Sequence, residues 1–480
     1  MTSKSTIIVL LPSNLNLSEV EKSSNVILRK VMKDKIYVFL DSITKPLRKK
    51  TLSLDPYTIL KASSLKSMYG DCYKEMIEFL LLSDVIECNN RYIVGKQSKG
   101  YRFTKKYRGS LPYVHKVSNS TLVKKLIKNR TSSPNNYPHL NVFTDGLVIN
   151  VKGAEEYCFA TYKSKMKQYV IDVDNYLEIA RQFSNPDIDI PVNPIFWLYS
   201  QLRVVHSIHN KQFRFKVDKT GYRLHTNLTN IKSELRNFIT FNGVKLVSVD
   251  YSNSQPLLST LFLKNSYWNA VKQNSCELHY TDIRCKEDEV KFINDIISNI
   301  KSSTYTMIPT FKKSSDIETY VSLCETGKLY EHIQQELNLS DNSRKAVKVA
   351  VFQILFTDNR FIGQVKAEPK RVFKRLFPDV YKVLSLIKKG SSKLLPILLQ
   401  RIESEIILNR VAKRIEIERP DLPLFTIHDS VVTSVGNELY IQFVMKEEME
   451  NAIGLSPNMK IEYWKPENID LQSDLVNVVA

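Results

Sequence analysis

Two short apolar runs, KLVSVD (245–250) and LPLFTIHD (422–429), stand far apart in the chain, and each ends on an aspartate. Leu246, Val247, Ser248 and Val249 read as a buried strand that delivers Asp250 to its C-terminal end. Leu424, Phe425 and Ile427 lead into His428-Asp429-Ser430, and Val431 and Val432 lead out, so the second run reads as a hairpin with Asp429 at its tip. A lone carboxylate at the end of a buried strand is costly unless a cation meets it. Brought together, the two strands would set both carboxylates side by side, where they repel. A pair of Mg²⁺ ions roughly 4 Å apart would neutralise them and serve an in-line phosphoryl displacement. After residue 195 long helical patterns alternate with these few strands, so the expected fold class is α+β.

Beyond Asp250, Asn253 or Ser254 offers a cap for a helix beginning near Pro256. A longer helix is read over SRKAVKVAVFQILF (343–356), with Ser343 as its N-cap. Arg344, Lys348, Phe352 and Phe356 fall at i, i+4, i+8 and i+12 along one ridge roughly 18 Å long, about the span of an extended nucleoside triphosphate. The cations suit phosphates and the aromatics suit sugar and base, while Val347, Val351 and Leu355 form a separate face for the core. Upstream lies TGYRLHTNLTNIKSELRNF (220–238). Arg223 can fork onto phosphate or a base edge. Asn227 and Asn230 can either satisfy backbone groups or read a sugar–phosphate chain.

Composition narrows the partner. Lys and Arg number 69 against 50 Asp and Glu, a net charge of +19, which points to a polyanion such as nucleic acid. The six cysteines have no CxxC spacing and read as reduced thiols; Cys276, His279 and Cys285 lie close together but lack a fourth zinc ligand. The N-terminal apolar run is too short for a signal peptide, and no stretch approaches the length of a membrane span. A soluble, cytoplasmic protein with no membrane partner is expected.

Residues 55–108 read as a compact winged-helix-like segment inside an N-terminal module, 1–130. A helix over 73–87 carries Met76, Ile77, Leu80 and Leu81, followed by strand-like pieces at Val85–Cys88 and Arg91–Val94 and by Gly95. The basic wing would carry Lys96, Lys99, Arg102, Lys105, Lys106 and Arg108 towards template phosphates. Loops are read at 131–140 and 184–194, and the pattern between them is unassigned.

Taken in order, these segments resemble the A family of template-dependent DNA polymerases and the related single-subunit RNA polymerases. TGYRLHTNLTNI with Arg236 and Phe238, Asp250-Tyr251-Ser252-Asn253-Ser254-Gln255, the helix with Arg344, Lys348, Phe352, Phe356 and Thr357, and His428-Asp429-Ser430 correspond to that family's motifs across about 220–435. The resemblance implies a right-hand polymerase with palm and fingers over 220–480 (fingers about 265–400) and a thumb-like connecting region over 131–219. It implies Asp250 and Asp429 as ligands of two Mg²⁺ ions, and Lys348 as proton donor to leaving pyrophosphate. Arg344, Lys348, Phe352, Phe356, Gln255 and Tyr251 would bind the nucleotide. Arg223, Asn227, Asn230, Arg236, His428 and Gln400 would bind the primer–template, and Tyr330 would support the fingers side. DNA primer–template, nucleoside triphosphates and replication proteins are the partners implied.

The sequence also departs from the family. Gln255 stands where DNA-making members carry a glutamate that blocks the ribose 2′-hydroxyl, Ser430 ends the HDS motif as in RNA polymerases, and Phe356-Thr357 replaces Tyr-Gly. The lost phenol hydroxyl tips the expectation towards DNA synthesis, and the absence of an acidic exonuclease motif argues against proofreading. A small DNA polymerase of a phage, plasmid or other mobile element is therefore expected. The alternatives are a single-subunit RNA polymerase or primase, and a noncatalytic DNA-binding replication initiator.

Overall fold

In a computed structural model, residues 6–45, 53–130, 137–182, 189–264, 314–337, 344–389 and 391–469 are described, without the side chains of Arg130, Arg344, Lys345 and Lys366. Cys276, His279, Cys285 and Ser343 lie outside these residues. The fold is α+β. Its central sheet is built on the strand Val244–Tyr251, in which Leu246, Val247 and Val249 are all fully buried. Burial on both faces explains why this strand reads as a continuous apolar run rather than an alternating one.

Two antiparallel neighbours flank it: Ser430–Ser434 on one edge and Met459–Tyr463 on the other. Phe425–Ile427 pairs outside Ser430–Ser434. At the other end, a two-residue Asn242-Gly243 turn, both residues left-handed, folds Ile239–Phe241 back onto Val244. That is the turn Asn-Gly favours in a hairpin. Leu147–Ile149 extends this corner, so the segment assigned to a thumb-like region contributes a strand to the central sheet.

The sheet separates two cores because successive side chains point to opposite faces. Val249, Tyr251 and Val431 enter a core shared with Leu257, Val347, Val351, Leu355, Met445 and many other helical residues. Leu246 and Val432 enter another with Leu198, Leu202 and Val205 of the helix Ile195–His209. The helix Val151–Gln182 has 32 residues, about 48 Å at 1.5 Å per residue, yet only Ala154, Tyr157, Cys158 and Thr161 are buried.

The N-terminal residues have a third core. Its outer part contains the helix Lys30–Ile43, the strand Thr58–Ile59, helices Ala62–Tyr69 and Tyr73–Leu82, and strands Ile86–Cys88 and Gly100–Phe103. Gly100–Phe103 lies between the other two strands. The helix expected over 73–87 stops at Leu82, because left-handed Asp84 lets the Val85 amide turn back to Leu80 O. Arg91–Val94 is not a strand. Left-handed Asn90 and Gly95 make it an exposed turn, and the second wing strand begins only at Gly100.

The strand Ile7–Pro12 joins this module to the rest of the molecule. Val9 and Leu11 lie in the N-terminal core, whereas Leu10 lies in the core of Ile195–His209. Asp41 Oδ1 seals the join, accepting from Leu10 N and from Arg203 Nη2, both at 2.9 Å. Among the described residues no helix is long and apolar enough to cross a membrane.

Candidate active site

The antiparallel register sets Asp250 opposite Ser430, and Tyr251 N donates to Asp429 O at 3.4 Å. Asp429 stands in the two-residue turn between Ile427 and Ser430, with His428 left-handed ahead of it. A non-glycine residue held there carries backbone strain, a common property of functional turns. The sheet thus brings together the two aspartates picked out from sequence. Burial pushes the Asp250 carboxyl up to about 8, and neighbouring Asp429 pushes the same way. Asp429 is also raised by burial, against the opposing pull of Arg223 and Lys348. Two such carboxyls form a site that seeks cations.

Lys348 supplies one cation. It lies on the helix Arg344–Phe356 and lowers the carboxyl values of both aspartates. Its Nζ sits 5.6 Å from the Phe352 ring centroid, and Phe352 stacks on Phe356 at 5.1 Å. Three of the four ridge residues therefore form a continuous row, while the Arg344 side chain lies outside the described residues. On the adjoining face Val347, Val351 and Leu355 are buried. The C-terminal end of this helix is held by buried Lys388, which donates to Ile354 O at 2.6 Å and Thr357 O at 3.2 Å.

A third carboxylate, Glu403, was not singled out from sequence. It is 3% exposed, on the helix Leu394–Ser404. Arg223 Nη2 lies 2.6 Å from its Oε1, and Gln255 Nε2 and Ser254 Oγ both donate to its Oε2. Ser254 also lowers the Asp429 carboxyl, and Asp429 raises that of Glu403, so the third carboxylate stands beside the first two. Burial and Asp429 push Glu403 up to about 7, while Arg223 and Gln255 pull it down. One sequence signal could have found it. Leu395, Leu399, Glu403 and Ile407 fall at i, i+4, i+8 and i+12, an acid within an otherwise apolar and buried stripe.

The segment carrying Arg223 is moulded by local hydrogen bonds. Asp218 accepts from the amides of Thr220, Gly221 and Arg223 at 2.8, 2.7 and 3.1 Å. Arg401 Nε donates to Thr220 O and Ser404 Oγ to Gly221 O, pinning the turn to the Glu403 helix. A Cβ on Gly221 would stand 2.6 Å from Gln400 Oε1, so glycine lets that glutamine lie across the turn. Asn227 Oδ1 accepts from Arg214 N at 2.6 Å, and Asn230 Nδ2 donates to Thr226 O at 2.7 Å. Of the two roles open to these asparagines, the structure thus shows the backbone-satisfying one. Tyr251 is buried and its hydroxyl donates to Met445 O at 2.6 Å, so it binds the sheet to the helix Glu438–Ile453. Tyr330 is likewise a core residue.

His428 and Arg236 complete the surroundings. Burial, with Arg223, His225 and Arg236 nearby, pushes His428 down to about 4, leaving a neutral ring at pH 7. Burial lowers Arg236, and Glu462 and Asp250 favour its charge. Ser252 Oγ, Asn253 Nδ2, Gln255 Oε1 and His428 Nδ1 are all buried with no hydrogen-bond partner. Buried polar atoms are rarely left unpaired, and these flank the two aspartates. No group of three or more His, Cys, Asp or Glu side chains forms a metal cage among the described residues. Asp250 and Asp429 fit Mg²⁺, which keeps several waters and is completed by substrate phosphates, whereas Glu403 is taken up by Arg223, Gln255 and Ser254.

No family model matches the chain, and no curated protein matches it. Among solved structures it is similar to the POL domain of Pol1 from M. smegmatis in complex with DNA primer-template and dNTP, at 11% identity and a TM-score of 0.30. The match covers 72% of this chain and 74% of that one. At that score the superposition is loose, and any functional reading rests on the geometry of this chain's own residues.

Proposed function

We propose that the chain is a template-dependent nucleotidyltransferase, a DNA polymerase without proofreading, that extends a primer 3′-hydroxyl with nucleoside triphosphates. The observation that carries this reading is the pairing of Asp250 with Ser430 across adjacent strands, which puts two raised carboxyls side by side with Lys348 facing them. Asp250 and Asp429 would hold two Mg²⁺ ions. When bound, such a pair lowers the pKa of the attacking hydroxyl and neutralises charge on the leaving phosphate. Lys348 is suited to grip the triphosphate and to hand a proton to the departing pyrophosphate, with Arg344 as a second cation on the same helix. The Phe352–Phe356 stack offers an apolar face to sugar and base. His428, Arg236 and Gln400 would meet the primer–template, His428 through a neutral ring that exchanges hydrogen bonds without adding charge. On this reading the sheet is a palm, the helices around Lys348 are fingers, and the N-terminal module is a winged-helix-like element that locates template.

A primer-extension assay tests this. Wild type should extend a primer in Mg²⁺, while Asp250→Asn and Asp429→Asn should each lose about a hundredfold to a thousandfold in rate, the size expected when central charge stabilisation is removed. If the three proteins behave alike while binding DNA, the chain is a DNA-binding protein and not a polymerase.

A further inference from the structure

We infer that the helices Ala412–Glu418 and Glu438–Ile453, with the cavity beside them, form a docking face for a basic amphipathic segment of a partner protein. The inference stands apart from the nucleotidyltransferase reading, because the cavity lies at the far end of the hairpin strand from Asp429. Leu422 and Leu424 precede Phe425–Ile427, and Asp429 follows it. The two helices lie side by side. Arg414 meets Glu447 and Glu448 at 2.8 and 3.1 Å, and Tyr440 Oη donates to Glu418 at 2.8 Å. Ile417, Leu439 and Phe443 are left more than half exposed. Leu439 and Phe443 stand one turn apart, and the Arg414 guanidinium lies 5.7 Å from the Phe443 ring centroid, which brings the helix of Ile417 alongside them. Exposed apolar side chains grouped in this way and rimmed by polar ones mark an interaction surface.

Charge selects the kind of partner. The chain carries a net charge of +19, yet these two helices set Glu416, Glu418, Glu438, Glu447, Glu448 and Glu450 against only Lys413, Arg414 and Lys446. Such a face repels nucleic acid and anionic membrane alike, and it attracts a basic protein segment.

The cavity sharpens this. It has a volume of about 320 Å³ and lies between the first of these helices and the helix Pro138–Val142, walled by Val142, Phe143, Leu422 and Leu424. His139 and Glu416 form its polar side, with Nδ1 3.0 Å from Oε2. The His139 side chain is 9% exposed, and neither ring nitrogen has a hydrogen-bond partner. Nδ1 faces a carboxylate and so carries the proton of a neutral ring, which leaves Nε2 as an unmet acceptor. Glu416 is partly exposed and meets no lysine or arginine among the described residues, so it is a second acceptor. Arg419, also at the rim, is engaged by Asp421 at 3.2 Å. A socket with apolar walls and two acceptors fits a side chain with an aliphatic stem and a head made of donors, which is arginine or lysine. Beside it, Ile417, Leu439 and Phe443 take the apolar face of the same segment.

The test is fluorescence anisotropy of a labelled synthetic helix, with leucine on one face and arginine on the other, added to the full chain. Two control peptides carry glutamate for arginine or serine for leucine. The Leu/Arg peptide should bind at least about tenfold more tightly than either control, because it alone meets both the apolar and the acidic part of the face. Ile417→Ser/Phe443→Ser should weaken its binding by about tenfold, the effect of losing an apolar anchor. Glu416→Gln should weaken it and reduce its dependence on salt. Ile417 and Phe443 are surface residues, so the thermal midpoint should stay in place. Leu439→Lys repeats the test if the double variant unfolds. Unchanged affinity in these variants overturns the inference, since the peptide then sits elsewhere, for example at the aspartates. Equal binding of the Leu/Glu peptide overturns it, and so does the absence of binding at millimolar peptide. Self-association of the wild type that Ile417→Ser/Phe443→Ser abolishes also overturns it, by making a second copy the occupant.

Discussion

Arg223 and Glu403 form an ion pair of 2.6 Å in which the carboxylate side chain is 2% exposed and the guanidinium 20%. The pair ties a turn shaped by Asp218 to a helix that also reaches Gln255 and Ser254. Removing one partner of such a pair leaves a charge with poor access to water. Arg223→Met should therefore destabilise the protein by about 3 kcal/mol. Glu403, already raised to about 7, would rise further and take up a proton. A group whose folded value lies above its unfolded value loses stabilisation as pH climbs through that interval. Urea unfolding of Arg223→Met should show a larger deficit at pH 8 than at pH 6, and the double variant Arg223→Met/Glu403→Met should recover most of it.

The aspartate pair predicts a linked effect of pH and divalent cation. Asp250 is raised from its ordinary value to about 8, so the folded protein binds a proton that the unfolded chain releases near 4. In EDTA the contribution of this group to stability should decline as pH rises from about 4 to about 8, the interval between the unfolded and folded values. A cation that neutralises the site supplies the charge the protons supplied. Adding Mg²⁺ at pH 8 should raise the thermal midpoint, and Asp250→Asn should make the pH slope shallower, leaving the share of Asp429 and Glu403, and abolish the Mg²⁺ response. Scanning calorimetry at pH 6 and pH 8 checks this; an equal Mg²⁺ response in Asp250→Asn would place the cation elsewhere.

A third prediction concerns the join between the N-terminal module and the remainder. Burial alone would raise Asp41, but Arg203 and Lys45 outweigh it and hold the carboxyl below its usual range. Arg203→Met leaves that buried acid facing Leu10 N without its strongest cation, at a cost of about 3 kcal/mol. Because the folded value is depressed, this stabilisation is present at neutral pH and disappears as pH falls through the folded value. Wild type and Arg203→Met should therefore differ most at pH 7 and converge in acid, a trend readable from urea midpoints at pH 7 and pH 3.

The parts legible in sequence were those whose signal is local. The strand ending at Asp250 and the hairpin carrying Asp429 announce themselves through apolar residues next to a polar turn, and Val347, Val351 and Leu355 through helical spacing. What escaped depends on distant partners. Gln255 and Glu403 are 148 residues apart, and only folding brings an acid on an apolar stripe against an amide after a strand. The long helix Val151–Gln182 gave no pattern because most of it buries nothing. Tyr251, Asn227 and Asn230 matched a motif by residue type, yet their side chains are used in packing or backbone hydrogen bonds.

The wing supplies the last prediction, because the structure splits its cations into two kinds. Arg102 and Arg108 are paired with Asp55 and Glu87, and Arg102 also covers the Tyr57 ring at 4.1 Å. The expectation that both reach phosphates is corrected by these contacts, which lock the strand Gly100–Phe103 to its neighbours. Arg91, Lys96 and Lys99 instead lie exposed on or beside the turn. The helix Tyr73–Leu82 exposes Glu75 and Glu78 against Lys74, so its outer face carries a net negative charge. If the module grips template, it does so through the turn. Replacing Arg91, Lys96 and Lys99 together by Ala should weaken duplex binding at low salt. The slope of log K against log[salt] should also shrink, by about 0.9 for each lost phosphate contact. Arg102→Ala should instead leave that slope unchanged and lower the unfolding midpoint of the protein. Fluorescence anisotropy at four salt concentrations, read beside a thermal melt, separates the two; an unchanged slope in the triple variant would remove the wing from the DNA interface.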